Sequence, residues 1–577
     1  MTLRIRWLGR VPYSEALAVQ RALHDGRGEP PDDYLLLLEH PHVFTWHRPA
    51  DLEHVLVPPA EVGAELVRTD RGGDVTYHGP GQLVGYPIVT VPQRPSAYVR
   101  SVEQLVIEVL GDLGLPDVGR LPGYPGVWVG PEGADPRKIC AIGVRMTRGR
   151  TMHGFALNVD PDMRYWNYIV PCGIADKAVT SLAREGIDVT MQEVVDAVAA
   201  RAATLWSDAP ATVDRQDVVF TRGNESRSAE AEAMGPGPRD PLPQPPGGGT
   251  YRLGLEGTSV HLRSRLSQAG VTDGLQISSR KPAWLRSTFR TAPGYLKLKH
   301  TMRDLGLVTV CEEAGCPNIF ECWGTDGTAT FMINGERCTR ACGFCLVDTS
   351  HPEPLDPDEP ERVAEAVARM GLGFAVVTAV ARDDLPDGGA DAFAATIRAI
   401  RRRTPRVQVE VLIPDVKGDE DALASIFAAR PDVLNHNVET VPRLQRAVRP
   451  SAGYARSLSV LARAKQAGLT TKSGLIVGMG EDDREVHATL ADLRAVGVDI
   501  VTIGQYLRPT SSHLPVARWV EPDTFASYAR RGTALGIPHV EASPLTRSSY
   551  HARQAAAAAD EAGDEPVVPL AIGDISS

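Results

Sequence analysis

Residues 328–345 read TATFMINGERCTRACGFC. The short apolar run TATFMI, closed by Asn334-Gly335, predicts a strand. Cys338, Cys342 and Cys345 follow at C-x3-C-x2-C spacing on the loop directly after it. Thiolates suit iron–sulfur clusters. Three of them hold three irons of a four-iron cluster and leave the fourth iron open for a ligand. A structural zinc site is normally closed by a fourth ligand, often as paired CxxC units, and that arrangement is missing here. Zinc or simple redox thiols stand as the alternative.

Downstream the pattern alternates. Helix ERVAEAVARM leads to strand FAVVTAV, helix ADAFAATIRAIRR, strand VQVEVLI, helix DALASIFAA and strand VLNHNVE. Helix ARSLSVLARAKQAG, strand TKSGLIV, helix REVHATLADLRAV and strand DIVTIG complete the series. Such β–α steps imply parallel strands joined by right-handed crossovers. They are too few for a closed eightfold barrel, so the expectation is an α/β partial (β/α)6 barrel. Its chemistry should sit on loops at the C-terminal ends of the strands. The stretch from Ala555 is expected to be a mobile tail.

Upstream, Cys311, Cys316 and Cys322 form a second triad, CEEAGCPNIFEC. Six of the eight cysteines thus fall within 311–345, with Cys140 and Cys172 apart. Clustering of this kind in a chain without an export signal reads as metal binding rather than disulfides. Residues 223–249, GNESRSAEAEAMGPGPRDPLPQPPGGG, bury too little apolar surface to fold and read as a linker. Before them, strands YLLLLEH, QLVGYPIVTV, GVWVG, KICAIGVRM and HGFALNV stand apart from helices SVEQLVIEVLGDLG and MQEVVDAVAARAATLW. That grouping predicts an α+β domain. The divisions are therefore 1–220, a linker and lead-in over 221–277, 278–554, and a tail over 555–577.

A chain of 577 residues exceeds a single core. Net charge of −11 argues against nucleic acid as the main partner. No apolar run reaches the ~18 residues of a membrane span, and MTLRIRWLGR lacks the apolar block of a secretory signal. The expectation is a cytoplasmic protein that uses neither membrane nor nucleic acid.

The C-x3-C-x2-C loop after strand one resembles the radical S-adenosylmethionine superfamily. With the second triad, and with RKPAWLR, RDDLPDGGA, VEVLIPD, DVLNHNVETVPRLQRAVRP, TKSGLIVGMGE, GQYLRPTSSHLPV and RSSYHA, residues 278–553 resemble lipoyl synthase. The resemblance implies two 4Fe-4S clusters. Cys338, Cys342 and Cys345 would hold the one that binds S-adenosyl-L-methionine and cleaves it to a 5′-deoxyadenosyl radical. Cys311, Cys316, Cys322 and, unusually, the hydroxyl of Ser549 would hold an auxiliary cluster. That cluster would be sacrificed to place two sulfurs on carbons six and eight of a protein-bound octanoyl chain. Ser350 and Ala381 depart from the family pattern without touching a ligand position.

In the first half, Cys172 lies in the turn VPCGIADKAVTSL and Lys138 in RKICAIGVRM. A nearby ammonium raises the thiolate fraction of a cysteine nucleophile, although a lone Cys is more often a buried hydrophobe. RGGDVTYHGPGQ (71–82) is a Gly-rich loop that permits close approach of a ligand, and it lacks the GK[ST] ending of a phosphate loop. These stretches, with HGFALNV, are similar to lipoyl(octanoyl) transferase, whose fold is that of the biotin and lipoate protein ligases. The resemblance implies that Cys172 becomes S-octanoylated from acyl carrier protein and passes the acyl group to a lysine, with Lys138 moving the proton. It implies substrate contacts from Arg71, Gly72, Gly73, Asp74, Val75, Thr76, Tyr77 and His78, from Ala141, Ile142 and Gly143, and from Gly154, Phe155 and Ala156. Cys140 is expected to fill a buried strand position. Arg137, Lys138, Arg145, Arg148 and Arg150 form a basic segment that suits an acidic carrier protein or a solvated strand face equally.

The whole chain then reads as a two-step lipoyl assembly enzyme. Its partners would be octanoyl-acyl carrier protein, lipoyl domains of 2-oxoacid dehydrogenases or glycine cleavage H protein, and an electron donor such as ferredoxin or flavodoxin. The linker would raise the local concentration of the second site around the acceptor. Two alternatives concern the first half: an ATP-dependent lipoate ligase, which needs no nucleophilic cysteine, and a non-catalytic docking module.

Overall fold

The computed structural model describes residues 2–26, 32–91, 94–171, 177–206, 213–220, 260–276, 279–286, 300–309 and 328–563. Cys172, the triad Cys311, Cys316 and Cys322, and the linker 223–249 lie outside the described residues.

In the first half the strands are β1 (Leu3–Arg10), β2 (Asp33–Glu39), β3 (Val43–Trp46), β4 (Glu65–Arg68), β5 (Thr76–His78) and β6 (Gln82–Ile88). They continue as β7 (Val118–Leu121), β8 (Tyr124–Val129), β9 (Arg137–Thr147), β10 (Arg150–Asn158), β11 (Ala178–Val179) and β12 (Val213–Asp217). A mixed sheet runs β12-β1-β2-β6-β10-β9-β8-β7, with β11 beside β9, and a small sheet β4-β3-β5 stands apart. Residues of β2 alternate between two cores. Leu35 and Leu37 pack with helices α2 (Pro95–Asp112) and α3 (Met191–Trp206). Tyr34, Leu36 and Leu38 pack under helix α1 (Tyr13–His24), in a core continuous with the second half.

The second half opens with helix α4 (Val260–Gln268) and β13 (Val308–Thr309), then seven parallel strands. These are β14 (Thr328–Ile333), β15 (Phe374–Ala379), β16 (Gln408–Leu412), β17 (Val433–Asn435), β18 (Thr470–Val477), β19 (Ile500–Gln505) and β20 (His539–Ala542). Helices α5 (Glu359–Met370), α6 (Ala390–Arg403), α7 (Glu420–Ala428), α8 (Tyr454–Gln466), α9 (Asp483–Ala495) and α10 (Pro522–Ala534) connect them. The order is linear from β13 to β20, so the barrel is open, as the count of β–α steps implied. Helix α10 and β20 add a seventh strand to the six that the sequence predicts.

One other expectation is corrected. The tail is not free from Ala555, because helix α11 (Ala552–Gly563) carries Ala555, Ala556 and Ala559 onto Phe374, Val376, Val433 and Ile500. The halves also meet directly. They share one core, in which α1 and β2 pack with Tyr454, Ala455 and Leu458 of α8 and with Leu490 and Leu493 of α9. Arg6 of β1 donates from Nε to both carboxylate oxygens of Asp492, at 3.0 and 2.8 Å, across this interface. Tyr34 and Tyr454 hydroxyls complete the shell of Asp492.

Candidate functional site

The Gly-rich loop of the first half folds over β9 and β10 and closes one side of a pocket. Arg71 is anchored below it, its Nε and a terminal nitrogen donating to Thr45 Oγ1 at 3.2 and 2.9 Å. Gly72 donates its N–H to Val144 O at 3.2 Å. At Gly143 a Cβ would lie 2.8 Å from Gly72 O, so only glycine lets strand and loop approach this closely. The lining brings together Arg71, Gly72, Gly73, Thr76, His78, Ala141, Ile142, Gly143, Gly154, Phe155 and Ala156. Tyr13, Val84, Tyr86 and His153 line it too, and the sequence reading did not select them.

Three residues of the loop point elsewhere. Asp74 pairs with His54 at 2.8 Å. Val75 belongs to a small core with Phe44 and Trp166. Tyr77 stacks on Tyr165, ring centroids 4.9 Å apart, and its hydroxyl meets His42 Nδ1 at 2.9 Å. Lys138 does not line the pocket; its ammonium lies over the Trp128 ring, 4.9 Å from the centroid. The chain after Cys172 nevertheless returns to it, since β11 pairs Val179 with Lys138 and Thr180 donates to Lys138 O at 2.9 Å. Before Cys172, Val170 donates to His54 O at 2.8 Å. Cys140 is fully buried in β9, and burial pushes its thiol pKa up.

The imidazoles around the pocket are kept neutral by burial. It pulls His78 well below its usual value, with the neighbouring His40 adding to the effect, and it lowers His153 as well. His153 stands at φ +59° inside a strand and meets Asp70 Oδ1 through Nε2 at 2.7 Å. An adjacent signal existed, since His153 directly precedes the selected Gly154. Tyr13 gave none, because α1 was not read as an element. The basic segment is mostly spoken for: Arg137 pairs with Glu185, Arg145 with Asp70, and Arg150 with Asp33.

In the second half the cysteine loop is stitched to its neighbours by backbone bonds. Cys338 donates to Asp348 O, Thr339 to Ala381 O, Gly343 to Val448 O, and Leu514 to Gly343 O, all within 3.0 Å. Cys338, Cys342 and Cys345 are free thiols. Burial pushes Cys342 up to about 12 and Cys345 up to about 11, so thiolates here need a bound cationic partner. Among the described residues, no three His, Cys, Asp or Glu side chains gather around a single ion. A four-iron cluster takes each thiolate on a separate iron, and the chemistry of three cysteines on one loop fits it. Arg340, between the cysteines, donates to Asp383 at 2.7 and 2.8 Å and to Asp415 at 2.6 Å. Ser549 is partly buried in the turn before α11, and its neighbour Ser548 accepts from Asn437 Nδ2 at 2.7 Å.

The barrel also contains a charged pair. Lys472 Nζ lies 3.0 Å from Glu410 Oε2, both essentially unexposed, and Asn435 donates to the other oxygen at 2.9 Å. Removing one member strands the other's charge. Lys472→Met is expected to cost about 3–5 kcal/mol in chemical unfolding, and the double change Lys472→Met, Glu410→Leu should recover most of it. A loss below about 1 kcal/mol would show that the pair behaves as an exposed one.

Comparison with known proteins assigns these regions. Residues 12–203 match the lipoyl protein ligase A/B catalytic domain. Residues 268–316 match the N-terminal domain of lipoyl synthase of the radical SAM family, and residues 332–493 match the radical SAM superfamily. A lipoyl synthase of Rubrobacter xylanophilus is 59% identical over 276 residues, 48% of this chain and 86% of that one. A lipoyl synthase of Mycobacterium avium is 57% identical over 283 residues, 48% of this chain and 92% of that one. Among solved structures, a bipartite lipoate protein ligase of Thermoplasma acidophilum aligns with TM-score 0.32 at 19% identity, over 40% of this chain and 91% of that one. No helix among the described residues is long and apolar enough to cross a membrane.

Proposed function

Because the chain belongs to the lipoyl synthase family and carries a lipoyl protein ligase A/B catalytic domain ahead of that half, we propose that it performs both steps of lipoyl assembly. It transfers octanoyl from acyl carrier protein to a lysine of a lipoyl-accepting domain, and then inserts sulfur at carbons six and eight. The observation that carries the first step is the pocket lined by Val84, Ile142, Phe155 and Ala156 beside a strand, β9, that rejoins the chain just after Cys172.

The Cys172 thiolate attacks the thioester carbonyl, and the carrier's thiol leaves with a proton. The acceptor's lysine amine then attacks the Cys172 thioester; an amide forms and the cysteine thiol is regenerated. Lys138, buried against Trp128, carries the proton between the two steps. The neutral His78 and His153 add no charge to the pocket beside that of Arg71, which suits an uncharged acyl chain.

For the second step, Cys338, Cys342 and Cys345 would hold one 4Fe-4S cluster, and Cys311, Cys316, Cys322 and Ser549 a second. The first, with S-adenosylmethionine, would supply the radical chemistry that removes hydrogen from unactivated C–H bonds. The chain's own contribution is rigidity: backbone bonds from three neighbouring loops fix the cysteines, and Asn437 fixes the turn that presents Ser549. Lipoyl domains of 2-oxoacid dehydrogenases or glycine cleavage H protein accept the group, and a ferredoxin or flavodoxin supplies electrons in the cytoplasm.

The test combines both halves. Reduced, anaerobically reconstituted full-length protein is incubated with octanoyl-carrier protein, an apo-lipoyl domain and S-adenosylmethionine, and the acceptor is weighed intact. Lipoylated acceptor is the expected result. An acceptor modified only when free acid and ATP are supplied would make the first half a ligase. An acceptor that must be octanoylated beforehand would make it a docking module.

A further inference from the structure

The turn at 415–418, after β16, touches both halves of the molecule. Val416, Lys417 and Gly418 all have positive φ, at 39°, 57° and 76°. Two non-glycine residues in this region, one β-branched, persist only where the surroundings hold them. On one side the turn grips the cysteine loop. Asp415, with a side chain 0% exposed, accepts from Arg340 at 2.6 Å, and Lys417 Nζ donates to Asp383 O. Asp383 is itself the bidentate partner of Arg340.

On the other side the turn meets Glu15 of α1, in the first half. A Cβ at Gly418 would lie 2.5 Å from Glu15 Oε1, so the carboxylate packs directly on the turn. The same oxygen accepts from Arg456 Nε at 2.7 Å. Arg456 also lies within electrostatic reach of Asp415, whose Oδ2 is buried without a hydrogen-bond partner among the described residues. Two carboxylates therefore feel the charge of one guanidinium, and Glu15 holds it.

We propose that Glu15 is a positioning residue that the first half supplies to the cysteine loop of the second. By occupying Arg456 and seating Gly418, it leaves Asp415 committed to Arg340, between Cys338 and Cys342. Without Glu15, Arg456 turns to the open oxygen of Asp415 and draws it from Arg340, and the loop loses its clamp. The proposal rests on the reading of the three cysteines as a cluster site that binds S-adenosylmethionine.

The experiment uses reduced, anaerobically reconstituted full-length protein, titrated with S-adenosylmethionine and followed by the electron paramagnetic resonance spectrum of the cluster. Glu15→Ala should bind roughly tenfold more weakly, at unchanged iron content. Glu15→Gln, which still accepts from Arg456, should fall between the two. Glu15→Ala combined with Arg456→Ala removes the competitor as well and should return toward wild type, which a merely destabilised fold would not do. A Glu15→Ala titration that overlays wild type overturns the proposal, as does a double variant no better than the single one. A wild-type spectrum that does not respond to S-adenosylmethionine overturns the cluster reading first, and this proposal with it.

Discussion

Cys172→Ala should lower octanoyl transfer at least about a thousandfold, while an acceptor octanoylated beforehand is still lipoylated at the wild-type rate. The first expectation follows from covalent catalysis. Without the thiolate the acceptor amine must attack the carrier thioester directly, and the pocket contributes binding alone. The second follows from the geometry of the other half, whose cysteine loop is held by its own residues Arg340, Asp383 and Asp415. The split is the informative result, read by intact mass of the acceptor under the two feeding regimes. A ligase mechanism retains transfer in this variant, since adenylate chemistry needs no cysteine nucleophile. Loss of both activities would mean that the substitution damages the shared core rather than a nucleophile.

The fold of the second half was legible because its strands are apolar on both faces and its helices carry a clear stripe. β20 escaped because it is only His539–Ala542 and holds His539 and Glu541 in four residues. The tail helix escaped for a different reason. Alanine reads as featureless in sequence, yet Ala555 and Ala556 are buried because a small side chain lets the helix approach Phe374 and Ile500. β1 was hidden by its arginines. Arg4 and Arg6 look like solvent-facing residues, but both are buried on Asp214, which arrives from β12 more than two hundred positions away. Motifs served the pocket well where several glycines made a local signal. They failed for Tyr13 and Tyr86, which enter the lining only through tertiary packing. Composition marked the linker but held no information about the surface it joins.

That surface is also where a single substitution should have a large effect on stability. Arg6 and Asp492 are 2% and 3% exposed, and the guanidinium is shared with Asp214. Arg6→Met leaves Asp214 with Arg4 but leaves Asp492, among the described residues, hydrogen-bonded to the hydroxyls of Tyr34 and Tyr454 without its paired cation. A buried carboxylate without its cation costs about 3–5 kcal/mol. The loss should appear in urea unfolding of the full chain, and it should fall on the interface. The wild type is expected to unfold its two halves together, because they share one core, and Arg6→Met to separate them into two transitions. Arg6→Met with Asp492→Leu replaces the ion pair by apolar contact in a core already lined by Leu490 and Leu493. It should regain most of the stability and the single transition. Two transitions already present in the wild type, or a loss below about 1 kcal/mol, would instead describe two independent domains joined by the linker. In that case the positioning of the cysteine loop by Glu15 would fail with them, since it needs the same docked arrangement.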